Sequence, residues 1–185
     1  MNQFLKVEGV VAAQTPLIEP IFQSILKDFS TVIEIGFHRG AFSLWLHKNK
    51  LKDTKLVSYD ISFDSKDVYN DSIDFRKGDC FAADIVEDIK NLIKLPGKTL
   101  VLCDGGNKEQ EFKLYSTFLK SEDVIMLHDY AHNQEEYSFI TSTLGWTTGA
   151  ESRYENIMKA VESNNLEPFN YNMFKSVLWG AFRKK

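Results

Sequence analysis

The segment 31–43 limits the possible folds more than any other part of the chain. Its apolar run, Thr31-Val32-Ile33-Glu34-Ile35, breaks at Gly36, turns through Phe37, His38 and Arg39, and resumes after Gly40 as the helical pattern that opens with Ala41-Phe42-Ser43. The run reads as a buried parallel strand over 31–35 and the pattern as the helix over 41–48 that leaves it. Two glycines let the backbone turn tightly and bring a ligand close to bare amides, at a helix N-terminus that favours negative charge. The spacing is ExGxxxG, which is not the GxGxxG turn of dinucleotide-binding units. Taken alone, it serves either as a ligand-binding loop or as a plain strand-to-helix connection, the former favoured by its two glycines.

Length and composition fit one domain built around that unit. At 185 residues, 43% apolar and 13% aromatic, the chain can bury roughly two-thirds of the surface its unfolded form exposes. A single domain over 1–185 is therefore expected, with 1–30 as an entrance arm and first helix. The formal charge of -4 and the pI near 5.6 supply no general attraction for nucleic acid or an anionic membrane. Small molecules or other proteins are the expected partners, and a homo-oligomer remains open. Cys80 and Cys103 lie at apolar strand edges, where an unpaired cysteine acts as a small hydrophobe. No stretch approaches the roughly 20 apolar residues of a membrane helix, and no cationic segment leads into a long apolar run at the start. A cytoplasmic location is the expectation.

Thr15-Pro16 reads as a helix cap and first turn. Leu17, Ile21, Ile25 and Phe29 then recur every four residues, with Ile18, Phe22 and Leu26 beside them, which makes an amphipathic helix for one face of a sheet. Gly9 and Gln14, just ahead of it, belong either near a ligand or to a packed arm. Strands follow over 56–60, 73–77, 99–104 and 123–128, separated by helices over 84–95 and around Phe112, Tyr115, Phe118 and Leu119. Strands alternating with covering helices specify an α/β fold with a doubly wound parallel sheet. A helix returns over 153–164, and 166–171 and 174–182 read as a closing pair of strands.

In such a sheet ligands gather at the carboxyl ends of the strands. Asp60 ends the second strand beside the glycine turn, where a carboxylate can accept both hydroxyl hydrogens of a ribose; the competing role is a loop aspartate that turns the chain. Asp104 and Asp129 follow the next two long strands. With His128 they offer an incomplete shell for a hard divalent cation, leaving positions for a substrate with two oxygens. The same carboxylates can orient ligands without a metal. A bound hydroxyl that is to react needs a group to take its proton, and histidine exchanges protons near neutral pH, its unperturbed pKa being about 6.5. His132, in the polar loop after the fifth strand, is a candidate, with surface solvation as its alternative. Tyr137, Phe139 and Trp146 read as an acceptor wall or as ordinary helix packing.

Four stretches now combine: Val32-Ile33-Glu34-Ile35-Gly36-Phe37-His38-Arg39-Gly40, Val57-Ser58-Tyr59-Asp60, Val101-Leu102-Cys103-Asp104 and Met126-Leu127-His128-Asp129. Their order resembles that of class I S-adenosylmethionine-dependent methyltransferases, and in particular the metal-dependent O-methyltransferases of the catechol type. Asp104-Gly105-Gly106-Asn107 and the His128-Asp129 pair are also similar to the group that includes macrocin O-methyltransferases and cephalosporin hydroxylase-like proteins. The resemblance runs from the first amphipathic helix to the final strand. It implies a Rossmann-like fold with a mostly parallel seven-stranded sheet and a closing antiparallel strand. It implies S-adenosylmethionine held by Glu34, Gly36, His38, Gly40, Ser43, Asp60, Asp79, Cys80 and Asp104, with Asp79 at the adenine amine, the Cys80 amide at a ring nitrogen and His38 at the methionine carboxylate. It implies magnesium or a similar cation at Asp104, His128 and Asp129.

The chain also departs from the catechol-type pattern. Where those enzymes have Asp-Asn at the second metal position, this sequence has Asp129-Tyr130. A lysine three residues after the first metal aspartate is replaced by Asn107, with Lys108 one step later; that shift is expected to turn the ammonium away from the substrate if a helix has begun. The base candidates are therefore His132, Lys108 and His128. The activity implied is methyl transfer to a hydroxyl of a small polyhydroxylated or aromatic acceptor. The alternatives are a metal-independent small-molecule methyltransferase and a noncatalytic S-adenosylmethionine-binding module. Nicotinamide chemistry is disfavoured by the glycine spacing. Amino-directed methylation of nucleic-acid bases is disfavoured by the lack of an Asp/Asn-Pro-Pro-aromatic loop.

Overall fold

The computed structural model of the chain describes residues 4–62, 73–144 and 152–185. Its main sheet has seven strands: β1 (Thr31–Ile35), β2 (Lys55–Asp60), β3 (Asp74–Lys77), β4 (Thr99–Cys103), β5 (Val124–His128), β6 (Leu166–Pro168) and β7 (Trp179–Lys184). They lie in the order β6-β7-β5-β4-β1-β2-β3. β1 to β5 are mutually parallel, and β7 runs antiparallel to both β5 and β6. This is the doubly wound, mostly parallel sheet with an antiparallel closing strand that the sequence predicts.

Register places the site. Ile35 pairs with Tyr59 on one side and Cys103 on the other, and Cys103 pairs with Leu127. The residues that follow these four, Gly36, Asp60, Asp104 and His128, therefore stand in a row along one rim of the sheet. The rim lies at the carboxyl ends of the parallel strands, where such folds bind ligands.

The two faces are separated by strand alternation. Val32, Leu56, Leu100, Leu102 and Met126 point to one side, where α1 (Ile18–Leu26) and α2 (Ala41–Asn49) cover them. Ile33, Val57, Val101, Cys103, Ile125 and Leu127 point to the other, beneath α3 (Ala83–Ile93), α4 (Lys108–Tyr115) and, beyond α5 (Gln134–Leu144), α6 (Tyr154–Ser163). β1, β4 and β5 are buried along their whole length, which explains why they read as near-continuous apolar runs. Phe22 on α1 meets Phe42, Trp45, Phe174 and Trp179 edge-on at 5.6 to 6.4 Å between ring centres. Phe22→Ala would leave a cavity at the meeting point of two helices and the closing strand, at a cost of about 3–5 kcal/mol. Cys80 and Cys103 are both buried free thiols, and no described helix is long and apolar enough to cross a membrane.

Three local expectations change. α1 begins at Ile18, and neither Thr15 nor Pro16 lies within it; the Thr15 hydroxyl accepts only a long bond of 3.4 Å from the Leu17 amide. The buried stripe is Ile18, Phe22, Ile25 and Leu26, while Leu17 faces solvent. The segment 174–178 is not strand: Tyr171–Phe174 and Lys175–Val177 form short helical turns. They are bracketed by Asn170 and Leu178 in left-handed backbone (φ 48° and 59°), so β7 starts only at Trp179. Tyr130–Ala131 pairs in parallel with Ser152–Arg153, so the chain after β5 is a short strand and not one open polar loop.

Candidate active site

The glycine turn is built by contacts on both sides. Gly36 has φ 101°, and a Cβ there would lie 2.2 Å from the Asp104 carbonyl oxygen, so the turn after β1 and the chain leaving β4 are in direct backbone contact. Gly40, at φ 75°, closes the turn by donating its N–H to the Phe37 carbonyl (2.7 Å) and caps α2. Asp60 reaches across from β2: its Oδ2 accepts the Phe37 and His38 N–H groups, each at 2.9 Å, and its Oδ1 accepts the Ser62 N–H at 3.1 Å. The carboxylate expected at a ribose thus also holds the loop in shape.

Glu34 lies beneath this turn. Its Oε2 accepts the hydroxyls of Ser43 on α2 and Ser58 on β2 (2.6 Å for Ser58). Burial pushes its carboxyl up to about 7, with the two serine hydroxyls pulling the other way. Glu34 and Ser43 therefore buttress the turn from below and do not line the cavity above it.

The polar centre forms where β4 and β5 end. Asp104 Oδ1 is 3.0 Å from His128 Nδ1, and Asp104 Oδ2 accepts the Gln14 side-chain N–H at 3.0 Å. Asp129 takes left-handed backbone (φ 52°) as the chain turns out of β5. Its Oδ2 lies 3.5 Å from His128 Nδ1 and 3.2 Å from Lys108 Nζ. An ionised Asp104 only accepts, so Nδ1 of His128 carries the proton between them. Burial lowers the His128 pKa, but the charges of Asp104 and Asp129 outweigh it and the net shift is upward. Trp179 packs its ring 4.8 Å from the His128 ring and donates its indole N–H to Gln14 Oε1 at 3.0 Å.

Lys108 corrects the expectation drawn from its shifted position. Asn107 is the N-cap of α4, its side chain accepting the Gln110 N–H at 3.3 Å, and Lys108 is the first helical residue. Helical side chains tilt towards the N-terminus, so its ammonium points back over the strand ends and into the site. Glu111, one turn on, holds the connecting loop: its carboxylate accepts the Gly105 N–H at 3.2 Å and the Asn107 N–H at 3.1 Å. Burial raises its carboxyl to about 7, against those two amides.

These groups line one cavity of about 970 Å³. Gly36, His38, Asp60, Cys80, Asp104, Lys108, His128 and Asp129 all reach it, as do Gln14 and Glu111. The sequence leaves the place of Gln14 open, and only a spacing of three from Lys108 marks Glu111 in it. Glu34, Gly40 and Ser43 do not line it. Nor does Asp79, whose Oδ1 accepts the Phe81 N–H at 2.9 Å in a local turn and does not cap α3. His132 lies elsewhere: its exposed ring stacks on Tyr154 at 4.8 Å and meets Tyr171 edge-on at 6.1 Å. The expected acceptor wall also moves. Tyr137 is buried and Phe139 exposed, neither lines the cavity, and Trp146 falls outside the described residues. The apolar lining comes from the N-terminal arm, with Phe4, Val11, Ala12 and Ala13, and from Phe37 and Phe42.

The donor atoms suit a cation. Asp104, His128 and Asp129 can each offer one ligand atom, all within 4.8 Å of one another. Neighbouring ligands on one magnesium at about 2.1 Å stand about 3 Å apart; the 3.0 and 3.5 Å separations from His128 Nδ1 approach this, the shorter being the hydrogen bond that a bound cation would replace. A coordinating histidine must be neutral and must give up any proton on the bound nitrogen, and Lys108 competes for Asp129.

No protein-family profile matches the chain, and no curated protein does. Solved structures do. CmcI in its apo form shares 14% identity over 97% of this chain and 76% of that one, with a TM-score of 0.70. CmcI with magnesium and S-adenosylmethionine gives 15% identity, 98% and 76% coverage and a TM-score of 0.68. A methyltransferase from Archaeoglobus fulgidus described as S-adenosylmethionine-dependent gives 15%, 91% and 93% coverage, and a TM-score of 0.54. The fold shared with these structures is the class I S-adenosylmethionine-dependent methyltransferase fold.

Proposed function

On the premise of that fold, we propose that the chain is an S-adenosylmethionine-dependent O-methyltransferase acting on a hydroxyl of a small polyhydroxylated or aromatic acceptor, with a divalent cation at Asp104, His128 and Asp129. One observation carries this: the polar centre and the Gly36 turn with Asp60 face the same cavity. A volume of about 970 Å³ lies near the top of the range for ligand pockets, about 300–1,000 Å³, and leaves room for a nucleoside donor and a small acceptor side by side.

When bound, the donor supplies an electrophilic methyl group and the cation polarises the acceptor oxygen. The chain supplies the rest. The Gly36 turn brings backbone amides to the donor, and Asp60 Oδ1 and Oδ2 meet its ribose hydroxyls. Asp104 and Asp129 orient the acceptor hydroxyl through their shared centre. Of the base candidates, Lys108 and His128 line the cavity. Lys108 Nζ, 3.2 Å from Asp129 Oδ2, is assigned to take the hydroxyl proton as a neutral amine, after the proton of its ion pair has left to solvent, and Asp129 then holds the ammonium that the transfer regenerates. Phe4, Val11 and Phe42 exclude water from the acceptor side.

The ion pair between Lys108 and Asp129 supports a second reading, metal-independent transfer, because the ammonium already sets a positive charge at the carboxylate a cation would use. Methyl-labelled S-adenosylmethionine, offered with a panel of small polyhydroxylated and phenolic compounds, separates the two. Label transfer abolished by chelation and restored by magnesium supports the cation-assisted enzyme. Transfer indifferent to chelation supports the metal-free one. Saturable donor binding with no transfer to any hydroxyl identifies a binding module, and no donor binding removes the proposal.

A further inference from the structure

We propose that Gln14 is a positioning residue: its side-chain amide sets the direction in which Asp104 presents its carboxylate, and its backbone ties that direction to the N-terminal arm lining the acceptor side of the cavity. The proposal rests on the methyl-transfer reading of that cavity.

The chemistry of three groups fixes the arrangement. An indole N–H can only donate, so the Gln14 atom facing Trp179 at 3.0 Å must be the carbonyl oxygen Oε1. The amide nitrogen is then forced towards Asp104 Oδ2, also at 3.0 Å. A glutamine between two ordinary partners can flip; this one cannot without setting N–H against N–H and oxygen against carboxylate. Gln14 is 1% exposed and Trp179 is fully buried, so water does not replace the bond between them. With Oδ2 committed to Gln14 and Oδ1 against His128 Nδ1, rotating the Asp104 carboxylate breaks two contacts at once.

The backbone of Gln14 faces the other way. Its carbonyl accepts the Leu5 N–H at 2.8 Å, and the Leu5 carbonyl accepts the Ala12 N–H at 2.8 Å. These bonds close the base of a hairpin whose strands are Lys6–Val7 and Val10–Val11. Phe4, Val11, Ala12 and Ala13 on this arm line the same cavity as Asp104. An acceptor pressing on the arm therefore bears on the residue that aims the carboxylate. Partners of this kind behind a metal ligand typically account for 10- to 100-fold in metal affinity.

The test uses the whole chain with Gln14→Leu, Gln14→Asn and Trp179→Phe, the last removing the indole N–H that orients the amide together with part of a buried ring. Thermal unfolding first shows which variants fold, and Gln14→Asn and Trp179→Phe carry the test if Gln14→Leu does not. The expected result is S-adenosylhomocysteine affinity within about threefold of the natural chain, with manganese affinity, read by electron paramagnetic resonance, falling about 10- to 100-fold in Gln14→Leu and less in Trp179→Phe. The second readout needs no ligand: nitrogen-15 and proton resonances of the His128 ring should report a hydrogen-bonded Nδ1–H in the natural chain, and a marked shift in each folded Gln14 variant, where the Trp179 ring that packs on His128 is unchanged. Unchanged ring resonances, or unchanged manganese affinity in a chain that binds manganese, would overturn the proposal. A natural chain binding neither S-adenosylhomocysteine nor manganese would defeat the methyl-transfer reading, while the ring resonances would still decide whether Gln14 positions Asp104.

Discussion

The ammonium of Lys108, the first residue of α4, lies 3.2 Å from Asp129 Oδ2 at the end of β5, and the lysine is only 8% exposed. A buried cation beside a carboxylate that also fits a metal centre makes two opposite demands on one residue. Lys108→Met separates them. Removing the competing charge should tighten magnesium or manganese binding by up to about tenfold, whereas losing the amine that accepts the hydroxyl proton once it has shed its own should slow methyl transfer by roughly 100- to 10,000-fold. Calorimetry reads the first and single-turnover kinetics the second. An unchanged transfer rate would eliminate Lys108 as the base and leave His128 or the acceptor's own acidity.

Gly36→Ala tests the joint between the turn and β4. The added methyl would sit 2.2 Å from the Asp104 carbonyl oxygen at φ 101°, a backbone region costly to any side chain. Unfolding stability should fall by about 1–3 kcal/mol. S-adenosylhomocysteine binding should fall by more than that loss explains, because Asp104 moves with the turn. Normal donor affinity in a folded Gly36→Ala chain would show that the turn does not cradle the donor.

Asp60 has two roles that different substitutions divide. Asp60→Asn keeps an oxygen for the Phe37 and His38 amides but loses one acceptor for a ribose hydroxyl, whereas Asp60→Ala loses both. Donor affinity should fall about tenfold or more in Asp60→Asn, from a hydrogen bond to a charged group worth roughly 1.5–3 kcal/mol, and further in Asp60→Ala. Thermal stability should drop mainly in Asp60→Ala. Equal donor affinity in all three chains would place the ribose elsewhere.

The parallel strands could be read from the sequence, most plainly β1, β4 and β5, which are buried along their length and so carry unbroken apolar runs. Gly36, Asp60, Asp104 and Asp129 could be read as a rim because each directly follows such a run. The rest depended on contacts without local trace. Gln14 meets Asp104 and Trp179 across 90 and 165 residues. A one-residue shift along the sequence suggests that Lys108 turns away around the helix, but the tilt of side chains at a helix start decides its direction instead. His132 belongs to a polar stretch that looks continuous with Asp129, but pairing of Tyr130–Ala131 with Ser152–Arg153 carries it to Tyr154.

Glu34 makes stability depend on pH. Its folded carboxyl keeps its proton up to about 7, above the 4.5 of an ordinary glutamate. Between those values the folded state binds more protons than the unfolded one, so its contribution is full below 4.5 and is lost as pH rises through 7. Glu111, also raised to about 7, acts with the same sign. Denaturant unfolding from pH 4.5 to 7.5 should show Glu34→Gln with a flatter profile, by on the order of 1–3 kcal/mol. Parallel profiles would mean that Glu34 is already ionised in the fold at pH 5.

The most direct measurement is a calorimetric titration of the natural chain and Asp60→Ala with S-adenosylhomocysteine, repeated with magnesium and with Asp104→Asn. If the rim of Gly36, Asp60 and Asp104 is a methyl donor's site joined to a cation centre, the natural chain binds one equivalent saturably and Asp60→Ala loses most of that affinity. Asp104→Asn should keep the donor but lose magnesium. Absence of saturable S-adenosylhomocysteine binding to the folded natural chain would contradict the proposed function outright.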